Sequence, residues 1–326
     1  MQLESRINIY PKINMCFKSE FNSNYDSLLK DVYEWALSQK LCKSKNYLYK
    51  CCADLQNLVC MCYPYGDYER ILIISKFMVQ IFILDDIIEK KQSGCDFYDS
   101  LMKHGNENKD LIELLDKCNE DKETPFVVSF ADIWKQLKNF SNISWQKRFA
   151  ESYIWYLKTT EWEKKNIADN RVPSLNEYLE YRHFAGGVDM FLNLIEIARD
   201  IFIPDFVAVN MTFQRLFYIA GTHVCLVNDI HSFEKEKMIG QIHNMVNIMK
   251  HEYNICEQEA IDKATNFVND EIEKFVVSEK QLLPIYEGEV NECVLKYLDG
   301  LKTWMSGNHD WGIKCDRYIP NKYGGW

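Results

Sequence analysis

LFYIAGTHVCLVNDIHSFEKEKMIG, Leu216 to Gly240, is the stretch on which the reading of this chain turns. Its first half is apolar at helical spacing, and its second half becomes polar within one turn. Asn228, Ser232 and Glu236 stand at i, i+4 and i+8, so on an α-helix they stack on one face. Three oxygen-bearing side chains in such a row suit a hard cation. Lys235 sits beside them, placed for an anion. A polar face on a buried helix is the plainer reading of such a row, but the abrupt switch from apolar to polar marks a core opening to solvent.

Outward from that stretch, the 326 residues are 47% hydrophobic and 14% aromatic, enough for one large core or two modest ones. Lys and Arg number 38 against 48 Asp and Glu, a net charge of −10, which argues against nonspecific nucleic-acid binding. An anionic substrate would have to be held by a bound metal or by a few placed cations. The opening MQLESRINIYPKINMCF has no apolar signal region, so a cytoplasmic protein is expected. The uncharged run from Leu216 to Asn228 is too short to span a bilayer. Among the 12 cysteines, Cys51, Cys52, Cys60 and Cys62 come nearest to a zinc pattern but read as buried thiols. No HExxH, GxGxxG or P-loop occurs.

Helical patterns fill the rest. An extended polar-aromatic arm, 1–24, precedes a helix that Asp26-Ser27 can cap. Further helices are expected over Asn46–Met61, from Asp67 to Asp85-Asp86, over Asp96–Cys118, after Thr124-Pro125, and over Ser144–Asn166. Leu175–Ala185 should break at Gly186-Gly187 and resume to Ile201. Val207–Gly240, Ile242–Tyr253, Glu257–Glu279 and Glu287–Ser306 complete the set, and 307–326 is a Gly- and aromatic-rich tail. All seven prolines fall between or at the ends of these segments, and no alternating strand pattern appears. The expectation is one all-α domain over 1–326.

A second acidic motif, Asp85-Asp86-Ile87-Ile88-Glu89, closes an apolar helix in the same manner, with Asp85 and Glu89 sharing a face. Magnesium takes one or two carboxylates, several waters and phosphate oxygens, so two such motifs on facing helices suit a diphosphate clamped between metals. Paired DDxx(D/E) and NDxxSxxxE motifs resemble those of class I terpene synthases of the single-domain microbial type. Arg171-Val172-Pro173-Ser174-Leu175-Asn176-Glu177-Tyr178-Leu179-Glu180-Tyr181-Arg182 is similar to the family's RxPsxxEYxxxR segment, and Trp304 to Trp311 followed by Arg317-Tyr318 to its WxxGNxxW…RY ending.

The resemblance implies a single-domain isoprenoid-synthase helical bundle with a central apolar cavity. It implies three Mg²⁺ ions, with Mn²⁺ as the alternative: two at Asp85, supported by Asp86 or Glu89, and one at Asn228, Ser232 and Glu236. Arg182, Lys235, Arg317 and Tyr318 would bind the diphosphate, and Gly186 would turn a backbone carbonyl toward the ionising substrate. At 185, where many members carry Asp, this chain has Ala185. Phe77, Phe82 and Trp304 are the candidate hydrocarbon walls, and 235–245 with the C-terminal lid segment 307–326 would close over the substrate. The implied reaction is ionisation of an allylic isoprenoid diphosphate, foremost farnesyl diphosphate to a sesquiterpene, by a monomer or homodimer. Geranyl and geranylgeranyl diphosphate remain open as substrates. So do a chain-elongating prenyltransferase, which would carry a second DDxxD in place of NDxxSxxxE, and a non-catalytic helical binding protein.

Overall fold

The structure, a computed structural model, describes residues 8–89, 111–118 and 125–319. Its α-helices are α1 Tyr25–Ser38, α2 Lys45–Cys62, α3 Tyr68–Glu89, α4 Leu111–Cys118, α5 Pro125–Asn139, α6 Ile143–Ala168, α7 Leu175–Ala185, α8 Val188–Arg199, α9 Asp205–Ala208, α10 Met211–Met238, α11 Met245–Tyr253, α12 Glu257–Leu282 and α13 Gly288–Lys314. No strand occurs among the described residues. Of the helix expected over Asp96–Cys118, only Leu111–Cys118 falls within them.

α10 is the axis of the bundle, packed against α12 and α13 and touching α7, α8 and α11. α3 lies on α1, α2, α5 and α8. Ile71, Ile74, Phe77, Met78 and Ile83 of α3 are wholly buried, as befits a helix apolar nearly all round. Local chemistry sets several boundaries. The Ser44, Asn142, Ser174 and Asn210 side chains each accept a backbone N–H of the first turn of α2, α6, α7 and α10. The Asn210 cap divides the single helix expected over Val207–Gly240 into α9 and α10. At the start of α1, Asn24 rather than Asp26-Ser27 holds the cap position.

The break between α7 and α8 falls where expected, with Gly187 in the left-handed region at φ 63°. The end expected at Ser306 does not occur, and α13 runs on to Lys314, so the start of the supposed lid segment is helix. Gly307, the first residue of the expected tail, is a contact point within the helix. A Cβ there would lie 2.8 Å from the Met61 carbonyl, so α13 and the end of α2 meet backbone to backbone. The arm, from residue 8 onward, crosses α10 and α12 without regular structure. The Asn8 Nδ2 donates to Glu234 and Glu257 at 2.7 and 2.6 Å. Cys51, Cys52, Cys60 and Cys62 are buried free thiols, as expected.

Candidate active site

A cavity of about 450 Å³ opens between the ends of α3 and α10, walled by α6, the α7–α8 break and α13. Its apolar wall includes Phe82, Tyr156, Phe191, Trp304 and Trp311. Phe191 stacks on Trp304 at 5.7 Å between centroids, and Phe82 meets Trp311 edge-on. Its polar end gathers Asp85 from α3 with Asn228, Lys235 and Glu236 from α10. Arg182, Gly186, Arg317 and Tyr318 line the same cavity. Sequence positions far apart thus converge on one mouth.

Three expected residues stand elsewhere. Phe77 does not line the cavity. It is fully buried among Phe130, Phe149, Tyr153 and Phe191, because α3 turns that face into the aromatic core. Ser232 is buried behind the mouth, where its hydroxyl donates to the Asn228 carbonyl at 2.8 Å. Asp86, 4% exposed, holds Arg317 in a two-pronged pair at 2.8 and 3.0 Å and accepts the Tyr47 hydroxyl. Burial by itself would raise the Asp86 carboxyl, but Arg317 foremost, with Tyr47, outweighs it and holds the group below its ordinary value. The Glu89 side chain and residues 320–326 of the tail lie outside the described residues.

Arg182 is oriented by a network that the sequence reading left unassigned. Its Nε and Nη2 donate to Asp229 Oδ1 at 3.0 and 2.8 Å, and Nη2 also reaches Asn228 Oδ1 at 3.1 Å. The Asn228 amide in turn donates to the Tyr318 hydroxyl. Asn244 donates to Glu236 at 2.9 Å and to the Asp229 carbonyl at 2.8 Å, tying the start of α11 to the ladder. The Tyr178 hydroxyl donates to Asp229 Oδ2 at 2.7 Å, and this residue had a legible signal, since it precedes Arg182 by four residues on one helix. Tyr47 and Asn244 had none, because the contacts are made across the fold. Asn308 joins them from α13, donating to the Val224 carbonyl at 3.1 Å.

Among the described residues no three His, Cys, Asp or Glu side chains converge. The donors at the polar end, on Asp85, Asn228 and Glu236, are carboxylate and amide oxygens. They fit a hard divalent ion that completes its shell with water and phosphate oxygens.

An all-helical bundle with acidic and amide oxygens on two helices above an aromatic cavity has the architecture of a terpene synthase. Residues 76–274, more than half of the chain, match the model of terpene synthase family 2, C-terminal metal binding, and the chain belongs to that family. Terpene synthase activity and divalent-metal binding come with that membership. The chain is 28% identical over 264 residues to a (+)-T-muurolol synthase ((2E,6E)-farnesyl diphosphate cyclizing) of Roseiflexus castenholzii, covering 81% of this chain and 79% of that one. It is 26% identical to a germacrene A synthase of Nostoc punctiforme, over 94% of each. Among solved structures, an a-eudesmol synthase superposes with a TM-score of 0.79 at 19% identity, covering 93% of this chain and 99% of that one. A linalool/nerolidol synthase from Streptomyces clavuligerus does so at 0.77 and 19%, covering 93% and 100%. No helix among the described residues is long and apolar enough to cross a membrane.

Proposed function

We propose that the protein is a magnesium-dependent sesquiterpene synthase that ionises farnesyl diphosphate. The observation that carries this is the division of one cavity into a polar mouth, with Asp85, Asn228 and Glu236 beside Arg182 and Lys235, and an aromatic interior. The farnesyl chain length is supported by the substrate of the Roseiflexus relative and by the C15 product of the Nostoc one. Asp85 on one side, and Asn228 and Glu236 on the other, would hold the ions, three by resemblance; Ser232 would have to turn from the Asn228 carbonyl to join them. Magnesium held there would supply positive charge to the diphosphate oxygens as the C–O bond breaks. Arg182, Lys235, Arg317 and Tyr318 donate hydrogen bonds to the same oxygens, whose charge grows in the transition state. Arg317 spends two of its five N–H donors on Asp86 and keeps the others for the substrate. The allylic cation is left against the faces of Phe82 and Trp304, which attract it without offering it a nucleophile. Burial of the aromatic wall excludes water, and the departing diphosphate takes the final proton.

The test is incubation with geranyl, farnesyl and geranylgeranyl diphosphates plus Mg²⁺, reading diphosphate release and volatile products. Turnover of the farnesyl substrate to C15 products without isopentenyl diphosphate is the expected result. A requirement for isopentenyl diphosphate, or no release from any of the three, overturns the proposal.

A further inference from the structure

Asp229 sits inside the ladder motif, yet ionisation as derived above makes no use of it. It is 1% exposed and its carboxylate is saturated. Oδ1 accepts Arg182 Nε and Nη2 at 3.0 and 2.8 Å. Oδ2 accepts the Tyr178 hydroxyl at 2.7 Å and the Met245 backbone N–H at 3.0 Å. Four donors from two other helices, α7 and α11, fill the roughly four lone-pair positions of a carboxylate, so none remains for a metal. All the geometry is spent on one guanidinium. With Nε and one edge of Nη2 fixed, the Arg182 plane is set. Nη2 then meets Asn228 Oδ1 at 3.1 Å, and Nη1 lies so close to Gly186 that a Cβ there would stand 2.5 Å from it. Arg182 therefore touches the ladder and the helix break at once. Ala185, between them in sequence, contributes no polar side chain.

We propose that Asp229 is a positioning residue for the reaction: braced by Tyr178 and the Met245 N–H, it holds the Nε and Nη2 side of Arg182 so that Nη1, which makes none of these contacts, is presented to the substrate diphosphate beside Gly186. The proposal rests on the assignment of Arg182 to the diphosphate. A guanidinium turns about its long, flexible stem unless a bidentate partner holds it, and orientation is what a charge-assisted contact to a phosphate requires. Tyr178 acts one step further out. Its hydroxyl fixes Oδ2 and so keeps Oδ1 facing Arg182.

The test uses inorganic diphosphate with Mg²⁺ as the probe, its affinity measured by calorimetry on the full chain, alongside kcat and KM for farnesyl diphosphate. The variants are Arg182→Ala, Asp229→Asn, Tyr178→Phe and the double variant Arg182→Ala with Tyr178→Phe. Asp229→Asn and Tyr178→Phe should each weaken diphosphate binding by about tenfold or more and lower kcat more than they raise KM, since the contact strengthens as the leaving group gains charge. In the Arg182→Ala background, Tyr178→Phe should weaken binding no further, because it acts through Arg182 alone. A penalty that persists undiminished there means a structural role and overturns the proposal. So does unaltered diphosphate binding in Tyr178→Phe and Asp229→Asn while Arg182→Ala loses it. Asp229→Asn leaves a buried guanidinium without its counter-charge; if that variant fails to fold, Tyr178→Phe, which keeps both charges, decides. Unaltered diphosphate binding in Arg182→Ala itself would show instead that the assignment of Arg182 is wrong.

Discussion

Gly186→Ala is the perturbation that the geometry of the mouth makes most telling. Gly186 has φ −78°, so alanine meets no backbone strain there and the effect is purely one of space. The new Cβ would lie 2.5 Å from Arg182 Nη1, 3.0 Å from Cys225 Sγ and 3.2 Å from the Arg182 carbonyl. The end of an arginine ordinarily moves aside at little cost, but this one is held by Asp229 at 2.8 and 3.0 Å. Nη1 must retreat by roughly 0.9 Å to reach ordinary contact at 3.4 Å, which takes at least one of its partners out of hydrogen-bond range. A hydrogen bond to a charged group contributes about 1.5–3 kcal/mol, so a loss of about 2 kcal/mol carried into the barrier lowers turnover by about 30-fold. The assay is steady-state diphosphate release together with thermal unfolding. Gly288→Ala is the control. Gly288 has φ 58° and nothing within 4 Å of its would-be Cβ, so it should cost about 1 kcal/mol in stability and nothing in turnover. Wild-type turnover in Gly186→Ala would refute the view that Arg182 is held rigidly against the helix break.

Excess chelator should abolish turnover, and Glu236→Gln should do the same while leaving the unfolding midpoint within a few degrees; turnover in EDTA, or unfolding of Glu236→Gln, counts against the metal ladder. Trp304→Leu and Phe82→Leu should retain diphosphate release but shift the chromatographed products toward acyclic or hydroxylated terpenes, whereas Phe77→Leu, buried in the core, should cost about 1–2 kcal/mol of stability and leave the product pattern alone. His243 is pushed down to about 4 by burial first and by Arg182 and Arg171 beyond it, with its Nε2 3.0 Å from the Asn166 amide. The unfolded chain then takes up the proton from about pH 6.5 downward while the folded chain does not. The stability is therefore present above pH 6.5 and lost as pH falls toward 4, amounting to about 2 kcal/mol between pH 7 and pH 5. Denaturant midpoints at the two pH values should show that loss, and His243→Gln should remove it.

The sequence by itself determined whatever repeats along one helix or caps its end. The row Asn228, Ser232, Glu236 shares a face because a helix repeats every 3.6 residues. The break at Gly186-Gly187 was legible in the same way, whereas the Asn210 cap, though equally local, divides a helix that the apolar pattern makes continuous. The same locality made the family recognisable, because its motifs are short and ordered. Only the tertiary structure decided which faces meet. Phe77 and Phe82 stand five residues apart on one apolar helix, and nothing local tells which enters the cavity; α5, α6 and α8 claim Phe77. The tail from Gly307 is Gly- and aromatic-rich, yet α13 continues to Lys314: with no side chain at 307 the helix meets the Met61 backbone, and that packing against α2 offsets the intrinsic cost of glycine in a helix. The pairing of Asp86 with Arg317 and Tyr47, and of Asp229 with Arg182, Tyr178 and Met245, joins residues whose separation in sequence carries no period. Buried charges take the partners that desolvation forces on them, and those partners exist only once the helices have closed around the cavity.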